Sequence, residues 1–149
     1  MLMRRSRARE VALQLLFQFD MNATVEAGAI EQFLLDRLRE VEGRTFCREL
    51  YQGVVENRAA IDEMLTQVAE NWRLARMASV DRNLLRLGSY ELMFRPDVPV
   101  PVAINEAIEL ARRYGNQDSP TFINGVLDKV AQLAQVRKPD AASPPAQST

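Results

Sequence analysis

The chain has 149 residues, 47% of them hydrophobic, and a formal net charge of −1, enough for one ordinary domain or two small helical halves around a real core. The near-neutral total argues against a protein that coats nucleic acid without selectivity. The absence of histidine removes Ser-His-Asp and Cys-His relays, His-bearing zinc sites and Glu-x-x-His di-iron pairs.

Four arginines, Arg4, Arg5, Arg7 and Arg9, precede the first acid, Glu10, so the chain opens with a local positive pole. No small-residue cleavage site follows, and no apolar run approaches the roughly 18 residues that span a bilayer, so a soluble cytoplasmic protein is expected. The first helix is expected from about Ser6 to Phe19, with Ala8, Val11, Ala12, Leu15, Leu16 and Phe19 on one stripe and Leu13 and Phe17 widening it. So wide an apolar face must be covered from more than one side. After a break at Met21 to Thr24, Ile30, Phe33, Leu34, Leu38 and Val41 predict a second helix ending at Gly43.

Phe46, Leu50, Tyr51, Val54 and Val55 form a third helix, and Ile61, Met64, Leu65 and Val68 a fourth, the two readable as continuous across Asn57. Beside Phe46, the lone Cys47 reads as a buried thiol. Trp72, Leu74 and Met77 fall in a connector before Ser79, the expected N-cap of a fifth helix with Asp81 in its first turn. That helix carries Val80, Leu84, Leu87, Tyr90 and Leu92 and ends at Arg95-Pro96.

Pro101 opens a sixth helix, with Ile104, Ala107, Ile108 and Ala111 on its stripe. Gly115 supplies a left-handed stop, and Ser119-Pro120 restarts the chain as N-cap and N1 of a seventh, with Phe122, Val126, Leu127, Val130 and Leu133. Gly88 and Gly125 lie inside helical patterns and suggest close helix crossings. Residues 137–149, with three prolines and no large apolar side chain, are expected to form a disordered tail behind a helical domain at 1–136. No strand pattern and no Gly-rich phosphate loop is found.

The corner from Tyr114 to Ser119 offers a ring, two amides, a carboxylate and a hydroxyl. Single-stranded RNA is read by stacking bases on rings and pairing their edges with amides and carboxylates, while arginines hold the backbone. Arginines at a helix N-terminus oppose the helix dipole, and a phosphate chain would compensate for both. Arg5 and Arg9, four apart, share a face and suggest an anion-binding edge. The bland alternatives are a frayed, solvated terminus and ordinary turn formers. Glu106 with Glu109 and Asp62 with Glu63 sit on faces expected to be exposed, without the burial that would make acid–base pairs of them. Asn105 and Asn124 read as buried structural hydrogen-bonders.

Three blocks carry a family resemblance: Arg7-Ala8-Arg9-Glu10-Val11-Ala12-Leu13-Gln14; Val80-Asp81-Arg82-Asn83-Leu84-Leu85-Arg86 with Tyr90-Glu91-Leu92; and Val102 to Ala111 with Phe122-Ile123-Asn124-Gly125-Val126-Leu127-Asp128. On these residues the chain resembles the NusB family of transcription antitermination proteins over roughly residues 4 to 136. The resemblance implies an all-α fold of two three-helix subdomains packed as one domain of about seven helices. It implies a non-enzymatic adaptor without cofactor or metal. Its partners would be boxA-type single-stranded RNA of ribosomal RNA leader transcripts, the small-subunit ribosomal protein NusE and the RNA polymerase antitermination complex.

Carried over residue by residue, Arg4, Arg5, Arg7, Arg9, Tyr114, Asn116, Gln117, Asp118 and Ser119 match the RNA side, and Phe17 and Asp81 the NusE side. Where many relatives carry a lysine, this chain has Thr121, so one phosphate contact fewer is expected. Two readings compete. An RNA-binding front end of a ribosomal RNA cytosine methyltransferase would need a Rossmann-like catalytic domain, for which these residues hold no pattern. A helical interaction module would form a homodimer through its apolar faces and show no response to RNA.

Overall fold

The computed structural model describes residues 2–20, 26–69 and 76–137. The expected break at Met21 to Thr24, Trp72 and Leu74 of the connector, and the tail from 138 onward lie outside the described residues. Seven helices and no strand occur among the described residues: α1 (Leu2–Phe19), α2 (Ala27–Arg37), α3 (Val41–Glu56), α4 (Arg58–Val68), α5 (Ser79–Phe94), α6 (Val100–Tyr114) and α7 (Ser119–Arg137). α1 to α3 pack mutually as one three-helix group and α5 to α7 as the other, with α4 laid mainly on α5 and α7.

The stripe of α1 is wide because four neighbours use it. Ala8, Val11, Ala12 and Leu15 are fully buried on a helix that meets α3 most extensively and also α2, α5 and α6. α1 starts at Leu2, four residues before the expected Ser6, so the arginines lie within its first turns. The second boundary also moves. α2 ends at Arg37, Leu38 turns to an extended conformation, and Gly43 lies inside α3. Val41, assigned by its spacing to the second helix, belongs to α3 and is largely exposed. α3 and α4 are separate, because Asn57 leaves helical geometry while its backbone and side-chain N–H groups both donate to the Gly53 carbonyl.

α5 is the central helix. Ten consecutive residues, Asn83 to Leu92, are buried, so neighbours close on it from every side. Ser79 is not its cap: Ala78 holds that position and Ser79 is the first helical residue. Gly88 fulfils the close-crossing expectation, since a Cβ there would lie 2.7 Å from Leu127 Cδ1. Gly125 does not, having no neighbour within 4 Å. Asn105 and Asn124 are exposed rather than buried, so their faces turn to solvent. Cys47 is buried and its thiol is pushed up to about 12 by desolvation, which leaves no reactive thiolate.

Burial of polar residues on α5 requires partners. Arg86 forms a two-bond fork with Asp62 on α4 at 2.9 and 3.0 Å, so Asp62 is a fixed structural partner rather than a solvated acid. Asp20, at the end of α1, receives Arg82 at 2.9 Å and lies 3.7 and 3.8 Å from Arg86 and Arg58. Burial alone would raise the Asp20 carboxyl, but the Arg82 hydrogen bond and the charges of Arg82, Arg86 and Arg58 outweigh it and hold it below its ordinary 3.8. Its folded value lies below the unfolded one, so its contribution is complete above the unfolded value and lost as pH falls through the folded value. Asp20→Asn is therefore expected to cost about 2 kcal/mol at neutral pH. In urea denaturation the gap to the parent should narrow progressively below pH 3.8; a gap independent of pH would contradict this assignment.

Candidate nucleic-acid interface

The C-terminus of α6 and the start of α7 form the expected corner, with different local geometry. Gly115 is extended, at φ −93° and ψ −169°, rather than left-handed. Glycine is needed there for space: an added Cβ would lie 2.5 Å from Ser119 Oγ and 2.9 Å from the Ala111 carbonyl oxygen. Pro99 caps α6, so Pro101 is its second residue. Ser119 lies within α7, and the Asp118 carbonyl accepts the first helical bond, from Phe122 N–H.

Asn116 organises the turn. Its Oδ1 accepts from Asp118 N–H at 2.8 Å, its own N–H donates to Ser119 Oγ at 3.0 Å, and its carbonyl accepts from Ser119 N–H at 3.1 Å. This is the side-chain-mimics-backbone turn that asparagine favours. Ser119 is consequently buried and committed to the turn. Gln117 and Asp118 are exposed, and their side chains have no hydrogen-bond partner among the described residues.

The arginines separate onto different faces. Arg9 is only 2% exposed, and its guanidinium forks onto Glu91 of α5 at 2.8 to 3.1 Å. Burial raises the Glu91 carboxyl above its ordinary value even though the Arg9 bonds oppose it. Arg9 therefore cannot serve as the surface phosphate contact expected of it; it ties α1 to the central helix. The face shared by Arg5 and Arg9 is turned toward α3, where Arg5 stacks on the Phe46 ring with its Cζ 4.2 Å from the centroid. Arg5 also lies 3.5 Å from Asp97. Arg7 points the other way, to the corner. The side chain of Arg4 lies outside the described residues.

Arg7 and the corner meet through Glu10, which sequence reasoning left unused. Arg7 donates to Glu10 Oε1 at 2.9 Å, Arg113 donates to Oε2 at 2.6 Å, and the Tyr114 hydroxyl donates to Oε2 at 2.5 Å. Gln14 in turn donates to the Tyr114 hydroxyl at 3.0 Å. Burial would raise the Glu10 carboxyl, but the bonds from Tyr114 and Arg7 and the charge of Arg113 hold it below its ordinary range. Tyr114 keeps 38% of its surface exposed, so its hydroxyl is anchored while part of its ring stays open.

An open groove of about 530 Å³ runs beside that ring, lined by Arg7, Gln14, Phe17, Phe33, Val80 and Tyr114 among others. Phe17 contributes an apolar side chain that is 51% exposed. A second cleft, of about 360 Å³, is lined by Asp81, Asn116, Asp118, Ser119 and Phe122 among others. Asp81 Oδ1 is buried there without a hydrogen-bond partner. Val80 lines the first cleft and Asp81 the second, so the first turn of α5 contributes to both. Each cleft thus brings together residues expected on the RNA side and a residue expected on the protein side.

Among the described residues no group of His, Cys, Asp and Glu could hold a metal ion, and no helix is long and apolar enough to cross a membrane. The fold and its surface define an all-helical binding module. Residues 6–132 match the sequence pattern of the NusB family. A transcription antitermination protein NusB of Sorangium cellulosum (strain So ce56) is 47% identical over 128 residues, spanning 86% of this chain and 91% of that protein. The structure of T. maritima NusB is similar with a TM-score of 0.77 at 38% identity, covering 86% of this chain and 90% of the other. A chain in a crystal structure of antitermination factors NusB and NusE in complex with dsRNA matches with a TM-score of 0.79, covering 89% and 99% of the two chains. At 22% identity that likeness speaks for the fold alone. The chain belongs to the NusB family, whose members are RNA-binding regulators of transcription antitermination and not enzymes.

Proposed function

We propose that this chain binds boxA-type single-stranded RNA of ribosomal RNA leader transcripts together with the ribosomal protein NusE, and so promotes read-through of terminators by RNA polymerase. The observation that carries the reading is the juxtaposition of Arg7, the partly open Tyr114 ring and the unpartnered Gln117 and Asp118 side chains around one corner. These are a phosphate ligand, a stacking surface and two base-edge readers. Arg5, whose side chain is 40% exposed beside Phe46 and Asp97 on another face of α1, offers a second, separate cation to the RNA. Arg9, Asn116 and Ser119 act from behind it, fixing α1 and the turn. Phe17 and the unsatisfied Oδ1 of Asp81 are offered to NusE, an apolar anchor and a hydrogen-bond acceptor that a protein donor would satisfy.

The roles are separable by measurement. Asp118→Asn is expected to alter preference at one base position with little change in salt dependence. Arg7→Ala should weaken all RNAs about equally and lower the log–log salt slope by nearly one unit. An equal loss on every sequence from the Asp118 change would remove it as a base reader. A preference for duplex over single-stranded RNA would contradict the stacking role of Tyr114.

A further inference from the structure

Two exposed arginines from different helices converge on one buried carboxylate. The side chains of Arg7 and Arg113 are 46% and 58% exposed, whereas that of Glu10 is 7% exposed. The anion lies beneath and the cations face water, two positive charges against one. Each guanidinium carries five N–H donors, and the bonds to Glu10 leave outward donors for an anion. The Arg113 guanidinium also lies 5.7 Å from the centroid of the Tyr114 ring, which places the cation beside the stacking surface. Its neighbour Arg112 pairs instead with Glu109 of the same helix.

We propose that Arg7 and Arg113 together form a phosphate-binding pair in the RNA interface, and that Glu10 is the positioning residue that gathers them beside Tyr114. The inference rests on the RNA reading above and adds to it one binding residue, Arg113, and one residue that acts through others. A free arginine side chain would have to be ordered on binding; one already held from below loses less freedom when the phosphate arrives. Glu10 lowers the local charge by one but fixes where the other two point.

The test is titration of a labelled boxA-type single-stranded RNA with the full chain at several salt concentrations, alongside thermal melting of each variant. Arg113→Ala is expected to weaken binding about tenfold and to lower the log–log salt slope by nearly one unit. Arg113→Lys should restore the slope but only part of the affinity, because an ammonium lacks the planar fork. In a Glu10→Ala background, or Glu10→Gln should the alanine variant fail to fold, the cost of Arg113→Ala should shrink to about twofold or less, the non-additivity that marks coupled residues. Were Glu10 merely structural, its replacement would lower the melting temperature and leave the cost of Arg113→Ala unchanged, which would overturn its positioning role. Unaltered affinity and slope in a folded Arg113→Ala protein would overturn the phosphate pair while leaving the RNA reading intact. Failure of the parent chain to bind this RNA would overturn both.

Discussion

Glu91→Ala is expected to destabilise the fold by about 3 to 5 kcal/mol, the cost of leaving one member of a buried ion pair without its partner. Arg9 and Glu91 are 2% exposed each and joined by three hydrogen bonds, so water cannot replace the missing carboxylate. Glu106, 3.6 Å from Arg9, is too distant and too wet to take over the fork. The urea midpoint reads the loss directly. Replacing both members by apolar residues, as in Arg9→Met with Glu91→Leu, should recover most of it. A loss below about 1 kcal/mol from Glu91→Ala would show that the pair is not the link between α1 and α5 described here.

Gly53→Ala should also destabilise, through a steric contact that has no counterpart in helix propensity. A Cβ at Gly53 would lie 2.1 Å from Cζ and 2.4 Å from the hydroxyl oxygen of Tyr90. That ring cannot swing away freely, because it is buried and stacked on Phe94 with centroids 5.6 Å apart. Overpacking of this kind costs about 1 to 3 kcal/mol or more, of which alanine's better helix propensity returns about 1. A net loss is expected in thermal or urea unfolding, reversed by Tyr90→Leu in the same chain. Stabilisation by the single change would mean that α3 and α5 are not in this close register.

The sixth and seventh helices were legible because their punctuation is local: Pro101 suits only the first turn of a helix, and Gly115 and Pro120 bracket a short turn. Even there glycine's role was misassigned, since the need for it comes from Ser119 packed beneath rather than from its own φ. The α2–α3 boundary was misplaced for the converse reason. Gly43 reads as a stop but sits in a helix, while the real break at Leu38 carries no glycine or proline.

Charged residues were the harder problem. Helical spacing correctly put Arg5 and Arg9 on one face, but spacing does not say which way a face turns, and this one turns inward to Phe46 and Glu91. Burial of Arg86 and Glu91 on α5 is likewise invisible to spacing, because their partners, Asp62 and Arg9, are 24 and 82 residues away in sequence. Glu10 escaped notice for the same reason: two of its three partners lie on α6, 103 and 104 residues along the chain. What survived was the corner itself, whose parts are contiguous.

The most direct test of the proposed function is titration of a fluorescent boxA-type RNA and a scrambled control with this protein, with and without NusE. Sequence-selective binding that tightens when NusE is present is expected, with the RNA tightening NusE binding by the same factor, as linkage requires. Equal weak binding to both RNAs, unchanged by NusE, would contradict it.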